Sequence, residues 1–248
     1  MRERAGGTLF VVATPIGNLD DLSTRAEQCL RDVSLIACED TRHTARLLSR
    51  YEIRTPKISL HAHNEQSRVE GVLERLRAGD TVALVSDAGI PGLCDPGQRL
   101  VASCRAAGCR VEALPGPCAP VTALAGSGFP ADAFYFGGFL PNKPGGREKA
   151  LRAALERQET SVFLESPHRL VRSLEALAAL DAARPVCVAR ELTKIHEEYQ
   201  SGRAAAVLEH FRARPPRGEI VLVLAGTRPP AWFRRIWEDA HGRESGTR

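Results

Sequence analysis

The segment Ser86-Asp-Ala-Gly-Ile-Pro-Gly-Leu-Cys-Asp-Pro-Gly97 decides the fold class of this chain. It follows residues 81–85, an apolar run that is typical of a buried strand. Asp95 and Pro96 match a helix N-cap followed by proline at the first helical position. A strand-to-helix connection usually takes about two to six residues, whereas this one is longer and holds glycine at three positions. We therefore predict a loop whose backbone approaches a ligand at the carboxyl end of a sheet, where open α/β sheets bind their ligands.

The part of the chain before residue 116 alternates short apolar runs with amphipathic helical patterns. Strands that alternate with helices predict right-handed crossovers and a parallel sheet. Thr24 with Glu27 predicts a capping box for one helix, and Asn64 is expected to cap a later one. The five predicted strands of this parallel sheet are 9–13, 35–38, 58–60, 81–85 and 110–114.

A proline-rich stretch at residues 114–120 interrupts this rhythm, and a second series of apolar runs follows it. The short polar run 198–201 is expected to be an edge strand or a hairpin arm, which predicts a mixed second sheet. The fold class is therefore α/β, with an N-terminal domain at 1–116, a C-terminal domain at 117–226 and a short helical tail at 227–248. The predicted strands of the second sheet are 133–139, 161–165, 186–191, 198–201 and 219–225.

Two further segments carry no clear strand pattern. Residues 141–149 are basic and glycine-rich, and they predict an exposed loop between helices, with a mobile lid or a phosphate-contacting arm as the alternative. In the tail, Trp232, Phe233, Ile236 and Trp237 recur at helical spacing. Such a stripe is expected to pack on the body of the protein or on a partner subunit.

Composition places the chain among ordinary folded proteins. It has 248 residues, of which 43% are hydrophobic and 26% charged, and no apolar run approaches the roughly 20 residues of a membrane helix. The seven cysteines form no CxxC pair, which fits a reducing cytoplasm better than a disulfide framework. The net charge of +4 permits a nucleic acid or another polyanionic substrate without requiring one.

Several common chemistries lack their motifs. The loop at residues 13–21 has a single glycine, so it does not match the G-x-G-x-x-G turn of a nicotinamide dinucleotide site. No Walker A motif and no G-x-S-x-G nucleophile elbow occur. His61 and His63 share one short turn but have no further ligands at metal-binding spacing, so no metal site is predicted.

Charged residues follow several predicted strands. Glu39 and Arg42 lie just after one strand, beside Asp40, which alone could be only a helix cap. Glu165, His168 and Arg169 follow a strand of the second domain, and residues 190–194 follow another. These groups, together with the glycine-rich segment and the loop at residues 13–21, are the candidate site.

Taken together, these segments resemble the ribosomal RNA small subunit methyltransferase I family of the tetrapyrrole methylase superfamily. The resemblance runs in order over about residues 8–226. In the first half it rests on Phe10-Val-Val-Ala-Thr-Pro-Ile-Gly-Asn-Leu-Asp-Asp21, Glu39-Asp-Thr-Arg42, His61-Ala-His-Asn-Glu65, Ser86-Asp-Ala-Gly-Ile-Pro91 and Asp95-Pro-Gly97. In the second half it rests on Pro115-Gly-Pro117, Glu165-Ser-Pro-His-Arg169, Arg190-Glu-Leu-Thr-Lys194 and Arg217-Gly-Glu-Ile-Val221.

This resemblance implies 2′-O-methylation of a cytidine ribose in the decoding region of 16S rRNA, with S-adenosylmethionine as methyl donor. It also implies a homodimer of two-domain α/β subunits, with the cofactor in the cleft between the domains and no metal. An assembled small ribosomal subunit is the expected substrate, because RNA is read where nucleotides are unpaired or presented by a folded particle. The cofactor-binding residues that the motifs imply are Pro15, Gly17, Asp87, Gly89, Ile90, Cys118, Ala119 and Leu164.

A ribose hydroxyl is a weak acid, so a nearby proton acceptor is expected to assist its attack on the methyl group. The candidate acceptors are Glu39 and Glu165, and Lys194 could act as a neutral amine if burial lowered its pKa. Arg42 and Arg169 are expected to bind flanking phosphates, and Asn64 to orient the ribose.

Three other functions stay open at this point. A methyltransferase acting on a porphyrin or corrin precursor would share the fold and also bind a polyacidic substrate. A non-catalytic RNA-binding factor for ribosome assembly would lack affinity for the cofactor. A phosphohydrolase using Asp20 and Asp21 would depend on magnesium.

Overall fold

The computed structural model describes residues 6–242. The chain divides into two compact units, and the division falls between Cys118 and Ala119, two residues after the boundary expected from the proline-rich stretch. No helix among the described residues is both long enough and apolar enough to cross a membrane.

The first unit contains the predicted five-stranded parallel sheet. Its strands are β1 (Thr8–Val12), β2 (Leu35–Cys38), β3 (Lys57–Ser59), β4 (Val82–Val85) and β5 (Arg110–Leu114), in the order β3-β2-β4-β1-β5. All four pairings are parallel. The strand predictions are confirmed. β1 and β3 each begin and end one residue earlier than the apolar run from which they were predicted.

Helices cover both faces of this sheet, because each presents one apolar stripe to it. They are α1 (Thr24–Asp32), α2 (Thr41–Arg50), α3 (Glu65–Arg77) and α4 (Gln98–Ala106). One buried cluster contains side chains of α1 and α2, and a second contains those of α3 and α4. The sheet therefore has α1 and α2 on one face and α3 and α4 on the other.

The N-terminal capping of three helices differs from the sequence predictions. The cap of α1 is Ser23, whose hydroxyl accepts from the Ala26 N–H, and not Thr24. Asn64 stands before α3, but its side chain makes no cap bond. Asp95 and Pro96 do not begin α4, which starts at Gln98 after Gly97. Gly97 has φ of +122°, a backbone conformation that interrupts the helix there.

The second unit has a mixed five-stranded sheet, as predicted. Its strands are β6 (Phe134–Phe139), β7 (Thr160–Glu165), β8 (Pro185–Arg190), β9 (Glu198–Arg203) and β10 (Ile220–Leu224), in the order β6-β7-β10-β8-β9. Only the pairing of β6 with β7 is parallel. The polar run at 198–201 is an edge strand, as expected, and extends two residues further.

The helices of the second unit are α5 (Ala119–Ser127), α6 (Pro144–Glu156), α7 (Leu170–Leu180), α8 (Ala204–Ala213) and α9 (Ala231–His241). The main core packs residues of α6, α7 and α8 against the sheet, with Phe211 among the largest fully buried side chains. The prediction of an exposed loop at 141–149 is wrong from Pro144 onward, because α6 begins there and Arg147 is buried.

The aromatic stripe of α9 is split between the body of the second unit and solvent. Phe233 is buried, and its ring lies 5.2 Å from that of Phe129 and 5.6 Å from that of Trp237. Trp232 and Ile236 are exposed. Packing on the body therefore accounts for one face of the stripe.

Arg184 holds together three segments of the second unit. Its guanidinium donates to the carbonyl oxygens of Leu155, Ala225 and Gly226, each at 3.2 Å, and to the Asp181 carboxylate at 2.9 Å. The side chain is 13% exposed. These carbonyls belong to chain ends that leave helix or sheet geometry, so they depend on a side-chain donor.

We predict that Arg184→Ala lowers the free energy of unfolding by about 2–3 kcal/mol, because it leaves partly buried carbonyl oxygens without a donor. Urea unfolding followed by circular dichroism measures this change. The matched control is Arg228→Ala, an exposed arginine of the same unit, for which the change should stay within about 0.5 kcal/mol. Equal values for the two variants would contradict the role assigned to Arg184.

Candidate active site

The loop after β1 and the glycine-rich loop after β4 are joined by backbone pairing. The Thr14 N–H donates to the Gly89 carbonyl at 2.9 Å, and the Gly89 N–H donates to the Thr14 carbonyl at 3.0 Å. The Thr14 hydroxyl also donates to the carbonyl of Ser86 at 3.1 Å. Because β1 and β4 are adjacent in the sheet, these contacts fix both loops at its carboxyl edge.

Gly89 lies where three predicted cofactor segments converge. Its φ of +81° is a conformation that a residue with a Cβ adopts only under strain. A Cβ at this position would stand 3.4 Å from Ile16 Cγ2 and 3.5 Å from the Pro117 carbonyl oxygen. The first loop, the glycine-rich loop and the proline-rich stretch after β5 therefore meet around one glycine.

Three carboxylates gather beside these loops: Glu39 after β2, and Asp87 and Asp95 in the glycine-rich loop. Burial raises the pKa of Glu39, and the charges of Asp95 and Asp87 raise it further, while a hydrogen bond from the Asp87 backbone opposes the rise. Burial likewise raises the pKa of Asp95, with Asp87 adding to the shift and a Ser86 hydrogen bond opposing it. The group therefore carries closely spaced negative charge in a partly desolvated position.

No lysine or arginine among the described residues forms an ion pair with any of these three carboxylates. The arrangement favours a ligand with a positively charged group and disfavours a pyrophosphate. In the part of the chain that the structure describes, no group of three or more His, Cys, Asp or Glu residues could hold a metal ion. A sulfonium and an ammonium, the two cations of S-adenosylmethionine, fit this surrounding.

The other predicted cofactor residues occupy both units. In the first unit Pro15 is buried, Gly17 is exposed, and Ile90 and Cys118 are half-buried. In the second unit, Ala119 is the first residue of α5, and Leu164 is half-buried on β7.

Arg42 and Asn64 differ in how free their side chains are. Arg42 lies in the first turn of α2 with its side chain 89% exposed, and it pairs with Asp40 at 3.0 Å. The Asn64 side chain is engaged in its own turn, where it accepts from the His61 N–H at 2.8 Å and donates to the Ser59 carbonyl at 3.3 Å. Arg42 is therefore available to a ligand, whereas Asn64 shapes the turn before α3.

Glu165 is the centre of a buried hydrogen-bond cluster. Its carboxylate accepts from the Ser166 N–H and from Arg169, both at 2.7 Å, and from the Ser173 hydroxyl. The side chain is fully buried. Arg169 also donates to the Leu140 carbonyl at 3.3 Å. The charges of Glu165 and Arg169 therefore hold the start of α7 to the sheet.

Lys194 does not meet the condition under which it could act as a neutral amine. Burial alone would lower its pKa, but hydrogen bonds to Glu191 at 2.7 Å and Glu219 at 3.0 Å outweigh that effect and raise the pKa. Lys194 is therefore a cation that links the turn after β8 to the start of β10.

Sequence reasoning missed two residues of this region. Asp95 was interpreted as a helix cap, whereas it belongs to the carboxylate group. Glu65 takes the capping role instead, because its carboxylate accepts from the backbone N–H groups of Gly97 at 3.1 Å and Leu100 at 3.2 Å. Glu65 and Gly97 lie 32 residues apart in the sequence, so the capping bond between them leaves no local sequence signal.

Comparison with known proteins agrees with this geometry. The family model "Tetrapyrrole (Corrin/Porphyrin) Methylases" matches residues 8–208. The chain is 46% identical over 224 residues to ribosomal RNA small subunit methyltransferase I of Synechocystis, covering 90% of this chain and 80% of that protein. It is 47% identical over 227 residues to the protein of the same name from Escherichia coli O157:H7, covering 90% and 79%.

Solved structures share the fold at low sequence identity. Diphthine synthase has a TM-score of 0.70 and 13% identity, covering 95% of this chain and 96% of that one. Uroporphyrin-III C-methyltransferase from Thermus thermophilus, complexed with S-adenosylhomocysteine, has a TM-score of 0.60 and 19% identity, covering 88% and 97%. These likenesses confirm the α/β fold class. The family match and the identity to full-length relatives show that the chain belongs to the tetrapyrrole methylases and, within them, to the ribosomal RNA small subunit methyltransferase I family.

Proposed function

We propose that this chain transfers a methyl group from S-adenosylmethionine to the 2′-oxygen of a cytidine ribose in 16S rRNA. The observation that carries the proposal is the similarity of about nine tenths of the chain, at 46–47% identity, to ribosomal RNA small subunit methyltransferase I. The carboxylate group at the joined loops supports it, because it suits a cationic ligand. When bound, S-adenosylmethionine supplies an electrophilic methyl group on a sulfonium.

Backbone groups are proposed to do most of the cofactor binding. In the first unit, Pro15, Gly17, Asp87, Gly89 and Ile90 lie on the two joined loops. The half-buried residues Cys118, Ala119 and Leu164 are proposed to complete the set. A site built from main-chain amides needs loops held in one conformation, which the paired backbone of Thr14 and Gly89 provides.

Glu39 is the best candidate for the proton acceptor. Its raised pKa makes its carboxylate a stronger base than an ordinary glutamate. Glu165 is buried and already accepts three hydrogen bonds, and Lys194 is a cation without a free electron pair. We assign the proton transfer to Glu39 and a positioning role to Glu165, which orients Arg169.

Arg42 is proposed to bind a phosphate that flanks the target nucleotide, since its guanidinium is largely exposed. Arg169 is proposed to hold the start of α7, and Asn64 to shape the turn before α3. The polar atoms of these two side chains that make no internal hydrogen bond are proposed to contact the RNA. The substrate is proposed to be the assembled small ribosomal subunit, and the active protein a homodimer. Light scattering of the purified protein tests the dimer.

The direct test of the function is mass mapping of 16S rRNA from a strain that lacks the gene. One ribose methylation should be missing and should return with the wild-type gene. Transfer of labelled methyl groups to small subunits, compared with transfer to uroporphyrinogen, separates this function from tetrapyrrole methylation. Calorimetry with S-adenosylhomocysteine separates it from a non-catalytic assembly factor, which would not bind.

We predict that Gly89→Val abolishes S-adenosylhomocysteine binding, because a β-branched residue cannot adopt φ of +81° without strain. Methyl transfer should then be undetectable. The matched control is Gly71→Val on α3, where an added Cβ meets nothing within 4 Å, and cofactor affinity should be unchanged. Normal binding by Gly89→Val would remove the glycine-rich loop from the cofactor site.

We predict that Glu39→Gln lowers kcat about 100-fold, at the low end of what general base catalysis contributes, and retains S-adenosylhomocysteine affinity. Glu74→Gln, an exposed glutamate of α3, should leave both quantities unchanged. The loss in Glu39→Gln should be smaller than in Gly89→Val, because positioning contributes more than proton transfer. An unchanged kcat would show that no proton acceptor is needed at this position.

The raised pKa of Glu39 also predicts a pH dependence. A general base acts as the carboxylate, so kcat of the wild type should fall as the pH is lowered through a pKa above the usual 4.5 of glutamate. Glu39→Gln should lack this acidic limb. Profiles of kcat against pH, measured downwards from neutral pH at saturating substrate, check the prediction. The same limb in both proteins would assign it to another group.

A further inference from the structure

The stretch from α2 to β3 carries a row of cationic side chains. Arg42, Arg46 and Arg50 follow one another at intervals of four residues along α2, which places them about 6 Å apart along the helix. Arg54 and Lys57 continue the series beyond the helix. All five side chains belong to exposed residues. We call residues 42, 46, 50, 54 and 57 the cationic row.

The charge of this stretch is high relative to the rest of the chain. Residues 41–57 contain five cationic side chains and one carboxylate, Glu52, a formal charge of +4 that equals the net charge of all 248 residues. Outside the stretch, Asp40 pairs with Arg42 and Asp20 pairs with Arg50. Arg46, Arg54 and Lys57 form no ion pair with any residue in the range 6–242. The row therefore keeps uncompensated positive charge.

The surroundings of the row are polar. The large apolar residues of the stretch, Leu47, Leu48 and Ile53, are buried. At the end of α2, a concavity of about 680 Å³ has a mostly polar lining. It is lined by Ser49, Glu52, Arg54, Thr55 and Lys57, together with Ala45, Leu48 and Ile53. Protein interfaces are enriched in apolar and aromatic groups at their centres, and membrane-surface helices expose an apolar face. Neither description fits this surface.

We propose that the cationic row binds the phosphate backbone of the RNA strand that carries the target nucleotide. Guanidinium groups are suited to bidentate contact with phosphates, and a regularly spaced row matches a repeating backbone charge. The row starts three residues after Glu39, so it leads away from the proposed proton acceptor. This inference rests on the proposed function, because it assumes that an RNA is the substrate.

The test removes two unpaired cations of the row in Arg46→Ala/Arg54→Ala. Binding of small ribosomal subunits that lack the modification is measured over a range of salt concentrations. We expect the affinity to fall at least tenfold at low salt. The slope of log K against log salt should become shallower by about 1.4–1.8, since each phosphate contact contributes about 0.7–0.9. S-adenosylhomocysteine affinity should not change.

The matched control is Arg77→Ala/Arg105→Ala, which removes the same charge from exposed residues of α3 and α4. These helices pack on the face of the sheet opposite α2. A general effect of net charge would weaken RNA binding equally in both double variants. The proposal requires a smaller effect in the control.

A second variant guards against loss by misfolding. Glu52→Gln removes the one carboxylate within residues 41–57 and should tighten RNA binding and steepen the salt dependence. A gain of affinity does not arise from damage to the fold. Unchanged binding in both Arg46→Ala/Arg54→Ala and Glu52→Gln would overturn the proposal.

The remaining outcomes are also decisive. If the variants bind RNA normally but change the oligomeric state in light scattering, the row is an interface between copies of this chain and the RNA proposal is wrong. If the wild type neither binds small ribosomal subunits nor methylates their 16S rRNA, the proposed function fails, and the role of the row fails with it. If the wild type does both and the row variants match the control, only the row is refuted.

Discussion

The proposed site in the first unit depends on the central position of β4 in the parallel sheet. In the order β3-β2-β4-β1-β5, β4 lies between β2 and β1, and β5 lies beyond β1. Because parallel strands end at the same edge, the segments that follow β2, β4, β1 and β5 must be neighbours there. Those segments contain Glu39, the glycine-rich loop, the first loop and the proline-rich stretch. The paired backbone of Thr14 and Gly89 then fixes two of them in register.

This geometry has an electrostatic consequence for the protein without ligand. Folding raises the pKa of Glu39 and of Asp95, so the folded state favours their protonated forms more than the unfolded state does. Their contribution to stability is therefore lost as the pH rises through the raised pKa values. At neutral pH the loops retain repulsion that a cationic ligand would relieve. A site that costs stability when empty is typical of positions under functional constraint.

Much of the fold could be predicted from the sequence, because its signals are local. The apolar runs at 35–38 and 110–114 predicted the first and last residues of β2 and β5 correctly. The polarity of residues 198–201 predicted an edge strand. Helix starts were less predictable, since Asp95 and Pro96 match a local capping pattern that the conformation of Gly97 overrides. The true cap of α4 is Glu65, which lies 32 residues before Gly97 in the sequence.

The sequence proposes a set of site residues, but it does not separate their roles. Motifs mark Glu39, Glu165 and Lys194 alike, because a sequence shows charge without showing what neutralises it. In the structure Glu165 is satisfied by Arg169, Ser173 and the Ser166 N–H, and Lys194 lies between Glu191 and Glu219. The ion pair of Glu165 with Arg169 is buried. It fixes the geometry of its own segment, and losing one partner of a buried pair is costly.

Uncompensated charge separates the residues that we propose as functional from the structural ones. A carboxylate or guanidinium whose hydrogen bonds are complete within the protein must break them before it can contact a ligand, and breaking them costs free energy. Glu39 accepts a hydrogen bond from the Asp87 backbone but forms no ion pair within residues 6–242. Arg46 and Arg54 on the cationic row form no ion pair with any of the described residues either. The first group suits a small cation and the second a polyanion. A methyl transfer from a sulfonium to an RNA needs both kinds of surface. The first unit carries both, and Glu39 precedes the first residue of the cationic row by three positions.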